Sequence, residues 1–252
     1  MADPPRSAAM TADIWCEDIA RHYDDDVSAM STPQLLDATA AFLAEEAAGG
    51  AVLEFAIGTG RVALPLIARG VPVQGVDQSP AMVDQLRGKP GGSDVPVAIG
   101  DMADIRVSGE FTLVYLVFNT VSNLLTQDEQ VACFRNAARH LRPGGAFVVE
   151  LGVPELRRLT PGDSALVFDL GADHVGVDTY DVARQLLTSH HYWVGKWARP
   201  AVRSHHRYIL PAELDLMGAL AGMHLAARWS DWNRHPFTAD SRSHISVYRT
   251  LG

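Results

Sequence analysis

Cysteine is nearly missing from this sequence. The two present, Cys16 and Cys133, form no CxxC or ligand-spaced set, so neither a disulfide framework nor a cysteine-based metal site is expected. Cations are short as well: 21 Lys and Arg stand against 30 Asp and Glu, a formal net charge of -9. A nonspecific nucleic-acid surface needs clustered Lys and Arg, and the one basic stretch, Lys196 to Arg207, is interrupted by aromatic and histidine residues. No nucleic-acid partner is therefore expected. No apolar run approaches the roughly 18 to 20 residues of a membrane span. The opening MADPPRSAAM has no apolar core of a secretory signal. Those absences point to a cytoplasmic protein with no membrane partner. HxH and HExxH spacings are absent and lone Asp and Glu residues do not cluster, so no metal is expected.

What is there is an ordinary globular composition, 47% hydrophobic and 20% charged. Residues 51 to 60, AVLEFAIGTG, carry the most information. An apolar run bearing Glu54 ends in Gly58-Thr59-Gly60, and a second run ends in Asp77 about twenty residues later. A strand passing at once into a helix needs conformations that a Cβ disfavours, which suits glycine at 58 and 60 and lets a ligand approach main chain. The helix expected over Arg61 to Arg69 would aim its N-terminal N–H groups at that ligand. Asp77 would sit where a carboxylate accepts ribose hydroxyls, and Gln78-Ser79-Pro80 caps the next helix. The same features serve NAD enzymes, or a plain turn followed by a helix cap.

Four blocks in order narrow the choice: Leu53-Glu54 with Gly58 to Gly60, Val76 to Met82, Gly100-Asp101-Met102, and Leu141 to Gly145. Together they resemble the class I S-adenosylmethionine-dependent methyltransferases, strongly over residues 15 to 150. The resemblance implies S-adenosylmethionine as cofactor, with Glu54, Ala56, Gly58, Gly60, Asp77, Gln78, Asp101, Met102 and Phe118 around it. Asp77 would bind ribose, Asp101 the adenine amino group, and Met102 would flank the ring. Ala56 departs from the glycine that many members carry there.

The fold implied is α/β, a Rossmann-like doubly wound mostly parallel sheet with a C-terminal antiparallel hairpin and a β-rich lid insertion. Residues 1–50 read as an N-terminal helical cap, with a helical segment from Thr11 to Tyr23 broken by Asp24-Asp25-Asp26. Residues 51–151 read as the cofactor-binding core, 152–210 as the antiparallel lid, and 211–252 as the end of the core sheet. Arg142 to Gly145 reads as a turn before a strand over Ala146 to Leu151.

Methyl transfer is an in-line displacement, so placing the acceptor and excluding water matter most. Trp15 and Tyr23 would offer aromatic faces, Asn119 a polar group beside the cofactor loop, and the lid carries His190, His191, His205 and His206. Neighbours on a strand face opposite sides, so at most one of each histidine pair can face the pocket. Tyr23, Asn119, His190 and His206 are the expected catalytic set, and Glu150 either enters the pocket or pairs with an arginine. The acceptor expected is a small molecule methylated at N or O, in specialised metabolism, similar to the layout of natural-product and amino-sugar N-methyltransferases. C-methylation of an electron-rich ring, an NAD-dependent oxidoreductase and a noncatalytic cofactor binder are the other readings, and a homo-oligomer is compatible with all of them.

Overall fold

A run as apolar as Phe111–Leu116 is stable only where both faces of a sheet are covered, and here all six residues are buried. The computed structural model describes residues 16–195 and 199–251. In it that run is the centre of a seven-stranded sheet. In chain order the strands are β1 (Val52–Phe55), β2 (Val73–Asp77), β3 (Val97–Ile99), β4 (Phe111–Leu116), β5 (Leu141–Gly152), then, after an inserted second sheet, β10 (Met223–Trp229) and β11 (Ser243–Thr250). Their spatial order is β10-β11-β5-β4-β1-β2-β3. The five strands from β5 to β3 run parallel, whereas β11 pairs antiparallel with β5 and with β10. This is the mixed α/β sheet closed by a hairpin that the sequence led us to expect. Strand order reverses between β1 and β4, and a crevice opens above their carboxyl ends at such a switch point.

Among the described residues six α-helices accompany the sheet: α1 (Glu17–Asp26), α2 (Pro33–Ala47), α3 (Ala63–Ala68), α4 (Pro80–Arg87), α5 (Gln127–His140) and α6 (Pro211–Leu220). Their starts are written in side chains. Thr126 and Glu129 form a reciprocal capping box on α5, and the Ser79 hydroxyl accepts from the Met82 N–H at 3.2 Å with Pro80 at the first position of α4. Phe42 and Leu43 of α2 pack one face of the sheet with Val52, Leu113 and Val148, while Phe134 of α5 and Met217 of α6 pack the other with Phe147 and Tyr248. Among the described residues no helix is long and apolar enough to cross a membrane.

Three local expectations are corrected. The acidic run Asp24 to Asp26 is the last turn of α1 and not a break, because Asp24 is held from outside: it accepts from the Thr59 hydroxyl at 2.7 Å and pairs with Lys89 at 2.5 Å. The helix after the glycine loop is only the six residues of α3, so Arg61 and Val62 belong to the turn. Pro65 then falls in the first helical turn, where its missing N–H has no intrahelical acceptor to lose. Arg142 to Gly145 is a bulge inside β5: Phe111 pairs with Leu141 and Leu113 with Ala146, with Gly144 at φ 73° taking up the extra length.

Between β5 and α6 the chain builds an antiparallel sheet in simple order, β6 (Ala165–Leu170), β7 (His174–Asp181), β8 (Leu186–Trp193) and β9 (Arg199–Arg207). It roofs the crevice. Its attachment is the buried Arg207, which donates to Gln130 of α5 at 2.6 Å, to Gln185 at 2.8 Å and to Glu213 of α6 at 2.7 Å.

Candidate functional site

Where β1 ends, the backbone turns into the left-handed region three times in five residues: Ala56 at φ 53°, Gly58 at φ 56° and Gly60 at φ 74°. Ala56 bears a Cβ in that conformation, at a cost on the order of 1–2 kcal/mol that the surrounding turn must offset. The turn is clamped by Asp77 at the end of β2. One carboxylate oxygen accepts from the Gly58 N–H at 2.7 Å and the other from the Ser79 N–H at 2.8 Å. Asp77 thus shapes the glycine loop as well as facing the space beyond it.

That space is a cavity of about 790 Å³, within the ~300–1,000 Å³ usual for small-molecule sites. Its floor is lined by Glu54, Ala56, Gly58, Asp77, Gln78, Asp101 and Met102, brought together from β1, β2 and the loop after β3. Gly60 is not among the lining residues. At φ 74° a Cβ there would be strained whatever the space, and it would also lie 2.2 Å from Leu86 Cδ1 of α4, so the turn itself accounts for the glycine. Asp101 accepts from the Ala103 N–H at 2.8 Å, and the Met102 carbonyl is held by Asn136 at 2.9 Å.

Electrostatically the floor is unusual. Glu54 is 3% exposed, its Oε2 accepts from the Tyr115 hydroxyl at 2.6 Å, and burial pushes its carboxyl up to about 8. Burial also raises Asp77 and Asp101, against the opposing pull of neighbouring backbone N–H groups. Among the described residues Arg61 is the one Lys or Arg lining the cavity. It donates to Ser31 at 2.9 Å, lies 4.3 Å from the Phe118 ring centre and meets the Tyr23 hydroxyl, whose own pKa burial raises. Sequence reading assigned Arg61 to a helix; its position directly after Gly60 was the signal for a site cation.

Phe118 and Asn119 do not end β4, which stops at Leu116. They form a left-handed turn at φ 60° and 59°, a costly conformation for two consecutive non-glycine residues. Glu150 holds it: its carboxylate accepts from the Phe118 N–H at 2.8 Å and from Trp232 Nε1 at 3.1 Å. Of the two roles expected for Glu150, neither is taken. Asn119 lines the cavity, yet its Oδ1 accepts from the Gly152 N–H, so it splices the ends of β4 and β5.

The roof supplies the other wall. Alternation puts Asp178 and Tyr180 of β7, Leu187, Ser189 and His191 of β8, and Ser204 and His206 of β9 on the concave face, with Phe168 and Tyr208 beside them. His190 therefore points away. It bonds Thr179 at 3.1 Å and stacks on Tyr192 on the outer face, and His191 takes the place expected of it. His205 is likewise outward, against Thr188 at 3.0 Å. His206 does line the cavity, but burial and then the neighbouring His205 and His191 depress it to about 4. Both of its nitrogens are engaged, by Asn123 at 3.0 Å and Ser204 at 2.9 Å. A group so weakly basic is a hydrogen-bonding wall and not a base, which corrects the second histidine expectation. Tyr208 is 5% exposed, and its hydroxyl is buried with no partner. Trp15 lies outside the described residues. Among the described residues no three His, Cys, Asp or Glu side chains converge to hold a metal ion.

This donor set fits S-adenosylmethionine. Its ribose diol, exocyclic amine and carboxylate have chemical counterparts among the lining carboxylates of Asp77 and Asp101 and the Arg61 guanidinium, and buried acids with raised pKa values gain most from a cationic ligand. Comparison with known proteins agrees. Residues 52–145 match the methyltransferase domain family. The cypemycin N-terminal methyltransferase of a Streptomyces species is 30% identical over 202 residues, 79% of this chain and 82% of that protein. The CcbJ methyltransferase structure from Streptomyces caelestis superposes with a TM-score of 0.84 at 37% identity, covering 95% of this chain and 98% of the other. The S-adenosylmethionine-bound amino pentose methyltransferase CalS10 of Micromonospora echinaspora shares the fold with a TM-score of 0.69 at 23% identity, over 90% and 96% of the two chains.

Proposed function

This chain belongs to the class I S-adenosylmethionine-dependent methyltransferases, and from that premise we propose that its acceptor atom is an amine nitrogen of a small natural-product molecule. The observation that carries this reading is the distribution of charge. Beyond the glycine loop and Arg61, the acceptor half of the cavity offers the carboxylate of Asp178 with the rings of Tyr180 and Tyr208, and no Lys or Arg among the described lining residues, while Glu155 on the same wall is paired with Arg158. Acids and aromatic faces around a cleft attract an ammonium group, by charge and by the ring quadrupole. Asp178 is raised by burial despite the hydrogen bond it accepts from Ser189 at 2.7 Å, so a cationic partner relieves it. The unpaired Tyr208 hydroxyl is left for an acceptor's polar atom.

The roles follow from position. Asp77 and Asp101 hold ribose and adenine; Glu54, Arg61 and Tyr23 face the amino-acid end; Gln78, Met102 and Phe118 complete the wall. S-adenosylmethionine supplies a methyl carbon made electrophilic by the sulfonium sulfur. The protein aligns the acceptor and shuts out water under its roof. The cypemycin enzyme's name, an N-terminal methyltransferase, describes an acceptor of the same chemistry. C-methylation and nicotinamide chemistry are not favoured by the relatives or by the charge pattern.

The test is a matched acceptor screen, following S-adenosylhomocysteine release with a nucleotide-linked amino sugar, a short peptide with a free N-terminus, and the same molecules with hydroxyl in place of amine. Turnover confined to amine acceptors is expected. Turnover of the hydroxyl analogues alone would sink the proposal.

A further inference from the structure

Three side chains on the roof form a hydrogen-bonded line that cofactor binding does not use. Asp169 Oδ2 lies 2.6 Å from His174 Nδ1, and His174 Nε2 lies 3.1 Å from His191 Nδ1. The line crosses three strands, β6, β7 and β8, and it has a direction. His191 lines the cavity, the His174 side chain is 22% exposed and that of Asp169 47%.

We propose that Asp169, His174 and His191 are a proton relay that takes a proton from the acceptor's ammonium group and delivers it to solvent. This rests on the amine reading above. An amine is protonated near neutral pH and has no lone pair to offer until that proton leaves.

The protonation pattern follows from the partners. An ionised Asp169 can only accept, so His174 Nδ1 carries a hydrogen and donates it. His174 Nε2 is then the acceptor of the neutral ring, which makes His191 Nδ1 the donor to it and His191 Nε2 the basic nitrogen. In the transfer, an N–H bond of the ammonium breaks, its electron pair stays on the amine and the proton bonds His191 Nε2. The Nδ1 proton of His191 passes to His174 Nε2, leaving an imidazolium against the Asp169 carboxylate at the surface. One positive charge has moved outward and no electrons are gained or lost.

The surroundings suit a travelling charge. Trp193 lies 5.8 Å from the His191 ring and 5.2 Å from that of His174, and Phe168 stands edge-on to His191 at 5.4 Å. Gly176 makes room for Phe168: a Cβ there would meet its ring at 2.2 Å. Among the described residues the other titratable groups on the cavity wall beside this line are Asp178 and Tyr180 on β7, His206 on β9, Tyr208 just after it, and Glu155.

Two readouts decide the proposal. Histidine-labelled protein saturated with S-adenosylhomocysteine is titrated by imidazole NMR between pH 5 and 9. His191 is expected as the Nδ1–H tautomer, and Asp169→Asn is expected to weaken that preference. An Nε2–H tautomer, or a tautomer balance untouched by Asp169→Asn, overturns the relay whatever the acceptor proves to be. With an amine acceptor from the screen, His191→Gln should lower kcat by roughly 10²-fold at pH 7 with S-adenosylhomocysteine affinity unchanged, and His174→Gln by less. That loss should shrink as pH approaches the amine's own pKa, because water then supplies the free base. An equal loss at every pH marks a structural role and overturns the relay. Turnover of hydroxyl acceptors only, with the NMR signature as expected, overturns the amine reading instead.

Discussion

Glu54 shows what one buried acid can impose on ligand binding. With Tyr115 as its hydroxyl donor on the cavity floor, its carboxyl is pushed by burial from the ordinary 4.5 up to about 8. Its folded pKa lies above its unfolded one, so the folded protein holds the extra proton between those values. The stabilisation is fully present below about pH 4.5 and declines as pH rises to about 8, by roughly 1.4 kcal/mol per unit. Glu54→Gln should flatten that decline in the protein without cofactor, a difference visible in urea titrations at pH 5 and pH 8. The same proton opposes a cation. Calorimetry in buffers of different ionisation enthalpy should therefore detect proton release on S-adenosylhomocysteine binding at pH 7, with affinity rising toward pH 8. An unchanged release in Glu54→Gln would assign the proton elsewhere.

Elements also join through a few polar knots. Asp24 carries the end of α1 to the glycine loop through Thr59 and Lys89, although burial works against its charge. Arg207 carries the roof to α5 and α6. Its guanidinium is buried, and Gln130, Gln185 and Glu213 are arranged for it, Glu213 being held below the ordinary range, in spite of burial, by the hydrogen bonds it accepts from Arg207, Gln185 and Gln127. Removing one partner of such a set leaves the others without theirs, at a cost of about 3–5 kcal/mol. Arg207→Ala should lower Tm by roughly 6 °C or more. It should also raise KM for the acceptor more than for the cofactor, since the glycine loop and Asp77 do not depend on the roof. A thermal shift under 2 °C with both KM values unchanged would show that the roof is held by its apolar contacts alone.

For the molecule as a whole, a ligand that binds only the folded chain stabilises it by mass action. At one hundred times its dissociation constant, S-adenosylhomocysteine should add about 2.7 kcal/mol, a Tm rise of several degrees for a chain of this length. NADH at the same concentration should add nothing. A rise with NADH alone would contradict the cofactor.

The sequence by itself determined the sheet, the crevice and the cofactor. Apolar runs of strand length, the glycine loop and an acid twenty residues on are local patterns, and their order along the chain suffices to place them at one sheet edge. That Asp77, Asp101 and Met102 meet on the cavity floor was legible for that reason. Only the tertiary structure decided the rest. Gly60 lies outside the cavity lining, Asn119 splices two strands, and His191 rather than His190 faces the cavity. Which of two neighbours on a strand points inward depends on register and on what the sheet covers, and neither is contained in the strand's own residues. Arg61 and the Asp169–His174–His191 line escaped notice for a related reason. The line is made between strands, across five and seventeen residues of sequence, and Arg61 comes to line the cavity only once the turn after Gly60 ends where it does.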